Sequence, residues 1–420
     1  MIPPAGVSPG VRPAGAERRM RRSVVRDLLA RAAAPEVLSF AVGLPATGLI
    51  PRQALAAVAE SLLAASGAPL QYGTPYRPLK THIVRLMRER GVECAEEQVF
   101  LCNGAQQGLR LLSWLLLAPG APVMHEEIVY DGFQTVISDF SPEVLAVPTR
   151  AGEGIDAGAV AARLAAGARP AFLYVVSDGH NPLGVSLSPE TRSALVGLAR
   201  SYEVPIVEDD ACGLLGLDGP PPPPLRALDA DWVLYVGSFS KILAPGLRVG
   251  WVVVPERLVP ALSALKHADD FDTASFSQHL VAGFLDRGEL PAHLALLRRE
   301  YARRRDAVLD ACARHLPEAA RWTCPPAGLY VWVEIPAVDT MQLLEAALEE
   351  EKVAFCPGIA FAAPGRRDGW NAMRLSFGGL APEKIEEAIA RLGRVTRKRF
   401  STPGPSMSRS KVRSQGGTPC

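Results

Sequence analysis

Lysine is scarce in this chain, with seven residues in 420 against 38 arginines, so a lysine at the mouth of a buried strand stands out. The seven cysteines, at 94, 102, 212, 312, 324, 356 and 420, contain no C-x-x-C pair and no metal-ligand spacing with histidine. That excludes a zinc ribbon or a dithiol redox centre, and the odd, scattered set is expected to be reduced thiols in a cytoplasmic protein. No apolar run reaches the roughly 18–20 residues of a bilayer span. The longest candidate, 109–122, contains Arg110 and reads as a buried helix. A formal net charge of +1 excludes a strongly basic, nucleic-acid-binding body. Acidic residues are nearly missing from both ends. Residues 1–22 carry five arginines (12, 18, 19, 21 and 22) against Glu17, and from Thr396 onward there are six basic residues and no acid. Both read as flexible arms (1–35 and 396–420) with too little apolar sequence to fold alone. A transit peptide is the alternative for the first, although it lacks an amphipathic pattern.

With 48% hydrophobic and 21% charged residues, the chain can bury a sizeable core. Its length fits two domains, or one large α/β unit with an appendage. Apolar runs at 98–102, 122–125, 171–176, 205–208, 232–237 and 250–254 read as strands, alternating with helical patterns such as 105–117, 191–201 and 258–268. This alternation predicts a mostly parallel sheet flanked by helices, with ligands beyond the carboxyl ends of the strands. Beyond about residue 285 the pattern changes. A long charged helix (291–315) is followed by a strand (328–334), a helix (340–351), short strands at Val353 and 374–376, and a last helix (382–392). The expected organisation is a large α/β domain over 56–285 and a smaller α+β domain over 286–395, to which 36–55 contributes. The proline run 220–224 reads as an extended surface loop, and there is no internal repeat.

The chemistry begins at GSFSK, 237–241, with Arg248 seven residues after the lysine. A lysine ending a buried strand is costly, because desolvation disfavours its charged form. An imine with an aldehyde cofactor gives it a task; a snorkelling surface lysine is the alternative. Ser238, Ser240 and Arg248 offer donors and charge for a phosphate. The run 205–210 is an apolar strand ending in Glu208, Asp209 and Asp210. One of these carboxylates facing a pyridinium nitrogen would keep that ring protonated, while helix capping is the plainer reading. NGAQ at 103–106 joins a strand to a helix whose first N–H groups can bind phosphate. HNPLG at 180–184 follows another strand; Asn181 there is either a donor to a phenolic oxygen or part of a plain turn.

Taken together the motifs resemble the fold-type-I pyridoxal-phosphate (PLP) aminotransferases of class I/II, in the aminoadipate/kynurenine aminotransferase-like branch. The resemblance runs from about Leu38 to Val395. It rests on GLP at 43–45, QYG at 71–73, NGAQQ at 103–107, Tyr130, Asn181-Pro182, EDD at 208–210, SFSK at 238–241 with Arg248, CPG at 356–358 and RLSF at 374–377. It implies a large PLP-binding domain with a mostly parallel seven-stranded sheet plus a smaller α+β domain, and a homodimer with shared active sites. Lys241 would be the Schiff-base lysine and acid/base, Asp209 the partner of the pyridine nitrogen, and Tyr130 the residue stacked on the ring. Asn181 would bond the phenolic oxygen. Gln106, Ser238, Ser240 and Arg248 would hold the phosphate, with Tyr72 reaching it from a neighbouring subunit. Arg374 would grip the substrate carboxylate, in a substrate site that includes Gly43. The implied reaction proceeds through an external aldimine and a quinonoid to amino-group transfer onto a 2-oxo acid, with neither metal nor nucleic acid involved.

The chain departs from that family at the cofactor. Cys212 stands where a tyrosine is expected, and a thiol is a weaker donor. Ala105 replaces a serine, and Gly179-His180 replaces Phe-Gln. His180 reads either as a turn residue behind the site or as a substrate-contacting acid/base, and Cys212 either as a small filler or as a catalytic thiol. These changes leave an elimination, replacement or C–C bond-forming PLP reaction as the alternative outcome.

Overall fold

The computed structural model describes residues 31–400 apart from positions 33 and 151, so the greater part of both expected arms lies outside the described residues. Seven strands form the main sheet: β1 (Val99–Cys102), β2 (Pro122–Glu126), β3 (Glu143–Val147), β4 (Leu173–Val176), β5 (Ile206–Asp209), β6 (Val233–Ser238) and β7 (Gly250–Val253). Their order is β1-β7-β6-β5-β4-β2-β3, with every pair parallel except the two that β7 makes. The central strands read as unbroken apolar runs because both of their faces are covered. Alternate residues go to different cores: Tyr235, Trp251 and Val253 enter one cluster, while Leu234, Val236 and Val252 enter another.

On one face lies α3 (Ala105–Leu116), packed against α4 (Asp131–Ile137) and α7 (Val259–Asp270). Helices α1 (Arg52–Ala65), α2 (Arg77–Glu89) and α8 (Ser275–Asp286) pack together, and α5 (Ala157–Ala165) packs on α6 (Pro189–Tyr202). A four-stranded antiparallel sheet, β8 (Arg321–Trp322), β9 (Tyr330–Glu334), β10 (Cys356–Pro357) and β11 (Ala372–Ser376), follows the 26-residue helix α9 (Leu290–His315) in order β8-β9-β11-β10. Helix α10 (Thr340–Ala346) ends in a π-helical turn, Ala347–Glu351, inside the span expected to be one helix. The N-terminal Leu38–Ser39 pairs in parallel with Val353–Ala354, which ties the start of the described chain to its later part. The α/β class with a mostly parallel seven-stranded sheet is as expected. Among the described residues, no helix is long and apolar enough to cross a membrane.

The structure corrects two expectations. The last helix, α11 (Pro382–Phe400), runs through the first five residues assigned to the basic tail. Its apolar stripe continues to Val395 and Thr396, both buried, and Lys398 and Arg399 pair with Glu350. Cys94, Cys102, Cys212, Cys312 and Cys356 are free thiols, but Cys324 is disulfide-bonded.

Candidate active site

The parallel register sets the site. Val176 of β4 lies beside Asp209 of β5, and Asp209 lies beside Val236 of β6, so β4 and β5 end at one level and β6 runs two residues further. The segments leaving those ends bring Asn181, Asp209 and Lys241 around a cavity of about 320 Å³ that Tyr130, Arg248 and Arg374 also line. Gly43, Ala105, Gln106, Cys212, Ser238 and Ser240 line the same cavity. Twelve of the expected site residues thus converge on one space.

Lys241 is half-buried and its Nζ donates to the Gly43 carbonyl at 2.5 Å. Asp209 is buried, and its carboxylate accepts from the Tyr174 hydroxyl at 2.8 Å and from the Ala211 N–H at 3.3 Å. Burial pushes this carboxyl upward, while Tyr174, Ala211, His180 and Lys241 pull the other way. Tyr174 cannot swing, because its ring lies flat on Phe133 with centroids 3.7 Å apart at 4°. The Tyr130 hydroxyl donates to Gln106 Oε1 at 3.2 Å, and Gln106 Nε2 donates to the Gly132 carbonyl at 2.8 Å. Burial raises the Tyr130 pKa, so the phenol keeps its proton.

Arg248 adopts a left-handed φ of 54° and donates to the carbonyls of Asn103 (3.1 Å) and Pro245 (3.3 Å). Its guanidinium would lie 2.3 Å from a Cβ at position 104, so only glycine, itself at φ +82°, fits between β1 and α3. Gly250 is equally constrained, since a Cβ there would meet the Ala105 nitrogen at 2.8 Å. The result is a cradle of one guanidinium, two hydroxyls and the first N–H groups of α3, a set suited to a phosphate dianion. The turn is braced from behind. Asn103 and Gln107 donate to Asp270 at 2.7 and 2.8 Å, and Asp270 also pairs with Lys266.

Arg374 sits in the middle of β11, between Trp332 and Cys356 on the flanking strands. It donates to Asn181 Oδ1 at 2.7 Å and to the Ala41 carbonyl at 2.6 Å. The rings of Tyr330 and Phe361 lie 4.8 and 4.9 Å from its guanidinium carbon. Its Nε is buried and has no hydrogen-bond partner. A cation so held, with donor capacity to spare, is fitted to a carboxylate.

Two expected residues stand apart. His180 is fully buried and does not line the cavity; its Nε2 lies 2.8 Å from Glu126 Oε2, and its Nδ1 accepts from the Leu183 N–H at 3.4 Å. Contact with substrate is therefore corrected to a place behind Asn181, whose peptide bond to Pro182 is cis. Tyr72 is 86% exposed, with its ring edge-on to Phe271 at 5.9 Å, outside this chain's own cavity. Cys212 does line the cavity, but burial pushes its thiol up to about 12, so it is a small uncharged group and not a thiolate nucleophile. A side chain at Gly179 would meet the Gly328 backbone at 2.8 Å and Cys212 at 3.0 Å. The small residues at 179 and 212 thus let the loop before β9 approach closely. Sequence reasoning missed Tyr330, Tyr174 and Glu126. Aromatics in apolar strands read as core, and Glu126 gains meaning only beside His180, 54 positions away.

Residues 35–392 match the family model for aminotransferase class I and II. The chain is similar to aromatic-amino-acid aminotransferase 1 of Thermococcus litoralis, at 33% identity over 383 residues, covering 89% of this chain and 91% of the relative. The crystal structure of Pyrococcus horikoshii kynurenine aminotransferase is similar with a TM-score of 0.87 and 31% identity, covering 92% of this chain and 97% of that one. The α-aminoadipate aminotransferase of Thermus thermophilus, solved with N-(5′-phosphopyridoxyl)-L-leucine, gives a TM-score of 0.83 at 34% identity, with 92% and 97% covered.

Proposed function

The chain belongs to the class I and II aminotransferase family, and from that premise we propose that it transfers the amino group of an α-amino acid to a 2-oxo acid, with pyridoxal phosphate held on Lys241. The observation that carries the reading is the convergence of Lys241, Asp209 and Arg374 on one cavity. The residues present fit the cofactor. Among the described residues, Lys241 is the only lysine lining that cavity, the glycine at 104 leaves room for the Arg248 cradle, and the Arg374 Nε lacks a partner.

Bound pyridoxal phosphate supplies an aldehyde that condenses with amines and a ring that takes up negative charge from the amino acid's Cα. Arg248, Ser238, Ser240 and the N–H groups of Ala105 and Gln106 would hold the phosphate. Asp209, whose carboxylate the Tyr174 hydroxyl and the Ala211 N–H stabilise against the upward push of burial, would hold a proton on the ring nitrogen. Tyr130 would cover the ring, and the Asn181 amide nitrogen would donate to the phenolic oxygen, its Oδ1 being engaged with Arg374. Arg374 clamps the substrate carboxylate and so fixes which Cα bond faces Lys241. The Nζ of Lys241, beside that Cα, would take its proton.

Tyr72, exposed in the single chain, would reach the phosphate of a neighbouring subunit, which supports a homodimer with shared sites. The relatives act on aromatic amino acids, kynurenine and 2-aminoadipate, and donors of that range are the first to try. The elimination or replacement alternative loses much of its motive, since His180 is buried on Glu126 and Cys212 keeps its proton. The test is a single-turnover reaction of the holoenzyme with each donor and no acceptor. Amino transfer yields one equivalent of pyridoxamine phosphate per site, whereas release of a leaving group without pyridoxamine phosphate would refute it.

A further inference from the structure

A second cavity, of about 810 Å³, shares a wall with the active site: Asp178 lines the first and pairs at 3.3 Å with Arg90, which lines the second. The volume is in the range of small-molecule sites, roughly 300–1,000 Å³. One side is α2, another is the start of α9, and a third is the loop carrying the proline run 220–224. That run is not a free surface loop. Arg90 and Arg192 donate to the carbonyls of Pro222 and Pro223 at 3.4 and 3.1 Å, so it is a fixed wall. Leu86, Leu214, Leu285, Leu290 and Leu294 make the lining apolar.

The charge in that wall is one-sided. It holds His82, Arg85, Arg88, Arg90 and Arg298 against the single acid Glu89. Three of the five basic groups are already matched. Arg90 lies between Asp178 and Asp210 (3.3 and 3.2 Å), Arg88 lies 3.6 Å from Glu93, and His82 lies 2.7 Å from Asp286. Arg298 spends Nε and Nη2 on the Leu214 carbonyl at 3.1 and 3.0 Å, and Arg85 meets His82 Nδ1 at 2.6 Å. Burial and repulsion by Arg90 both press Arg298 toward losing its proton, as happens to a cation without a counter-ion. The chain's own ends do not complement this wall. Residues 1–22 carry five arginines against Glu17, and residues 401–420 carry three basic residues and no acid.

We propose that this cavity binds a small carboxylate with an apolar body, its carboxylate held by Arg298 and Arg85 and its body by the leucines and prolines. A bound anion there also draws on Arg90, whose partner Asp210 adjoins the cofactor-facing Asp209. The site is therefore placed to alter turnover without competing for Arg374.

The probe is phenylacetate, which has a ring and a carboxylate but neither an amino nor an oxo group. Calorimetric titration of the full-chain holoenzyme is expected to find two sites per chain. Arg374→Lys weakens one of them, and Arg85→Ala with Arg298→Ala weakens the other at least tenfold. Arg298→Gln alone gives an intermediate loss and guards against misfolding of the double variant. Neutral phenylacetamide binds the second site at least tenfold more weakly. One site only, removed by Arg374→Lys, would overturn the proposal, and so would two undiminished sites in the double variant. A signal that depends on protein concentration and not on phenylacetate would place a second copy of the chain in the cavity, and would overturn it as well. The readout is binding and does not require amino transfer, so it fails independently of the proposed reaction.

Discussion

Arg374→Lys is the most informative substitution, because the structure says what is lost and what is kept. The guanidinium reaches Asn181 Oδ1 and the Ala41 carbonyl at the same time, and the rings of Tyr330 and Phe361 flank it. Lysine keeps the charge but not the fork, so it cannot hold both protein partners and still present two parallel N–H groups to a carboxylate. Loss of one hydrogen bond to a charged group costs about 1.5–3 kcal/mol. At about 1.4 kcal/mol per tenfold, this is a fall of roughly 10- to 150-fold in kcat/KM for an α-amino acid. The loss is expected mostly in the apparent dissociation constant of the stopped-flow half-reaction. A smaller part falls on the rate at saturation, because Asn181 is no longer braced. An amine of the same side chain without the carboxylate is expected to react equally poorly with both proteins. A variant within threefold of wild type on the amino acid, or an equal penalty on the decarboxylated amine, would refute the clamp.

Asp209→Asn removes the carboxylate that holds the ring proton and is expected to lower kcat by about 10²–10³-fold, the size of loss seen when a preorganised charge partner is removed; weaker cofactor binding, measured by fluorescence, should accompany it. His180→Ala leaves Glu126 buried without its partner and is expected to destabilise the fold by about 3–5 kcal/mol in denaturant titration and to raise KM through Asn181. His180→Gln, which keeps a donor for Glu126, should recover most of both, and failure of that rescue would deny His180 its positioning role. Burial depresses the pKa of His125, whose Nδ1–H donates to the Glu126 carbonyl at 2.7 Å and whose Nε2 has no partner. Its folded pKa lies below the unfolded value of about 6.5, so the stability it contributes is complete above that pH and is lost as pH falls below it, at no more than about 1.4 kcal/mol per pH unit. The drop in Tm between pH 7 and pH 5.5 should therefore be larger for wild type than for His125→Asn.

The central strands were legible because a strand covered on both faces tends to be an unbroken apolar run, as at 173–176 and 233–236. Strand β3 was not, since it lies at the sheet edge and its short apolar run, 144–147, follows exposed Glu143. Nothing in the periodicity of 250–254 says that β7 runs antiparallel between β1 and β6, because direction is set by the connection and not by the pattern. In the site, Lys241, Asp209 and Arg248 could be found from residues alone, each being a charge at or just past the end of an apolar run. Arg374 could not. It lies inside a strand whose neighbours are apolar, and only the motif resemblance singled it out. The pair of His180 and Glu126 depends on β2 and β4 being neighbours, a fact of topology that joins residues far apart in sequence.

Borohydride reduction of the purified yellow protein, followed by peptide mass mapping, bears most directly on the central claim that the cofactor aldehyde is bound through Lys241. The expected result is one phosphopyridoxyl group per chain on the peptide containing residues 238–241, and none in Lys241→Ala. A label on Lys266 or any other lysine, or no label at all in a protein saturated with pyridoxal phosphate, would contradict it.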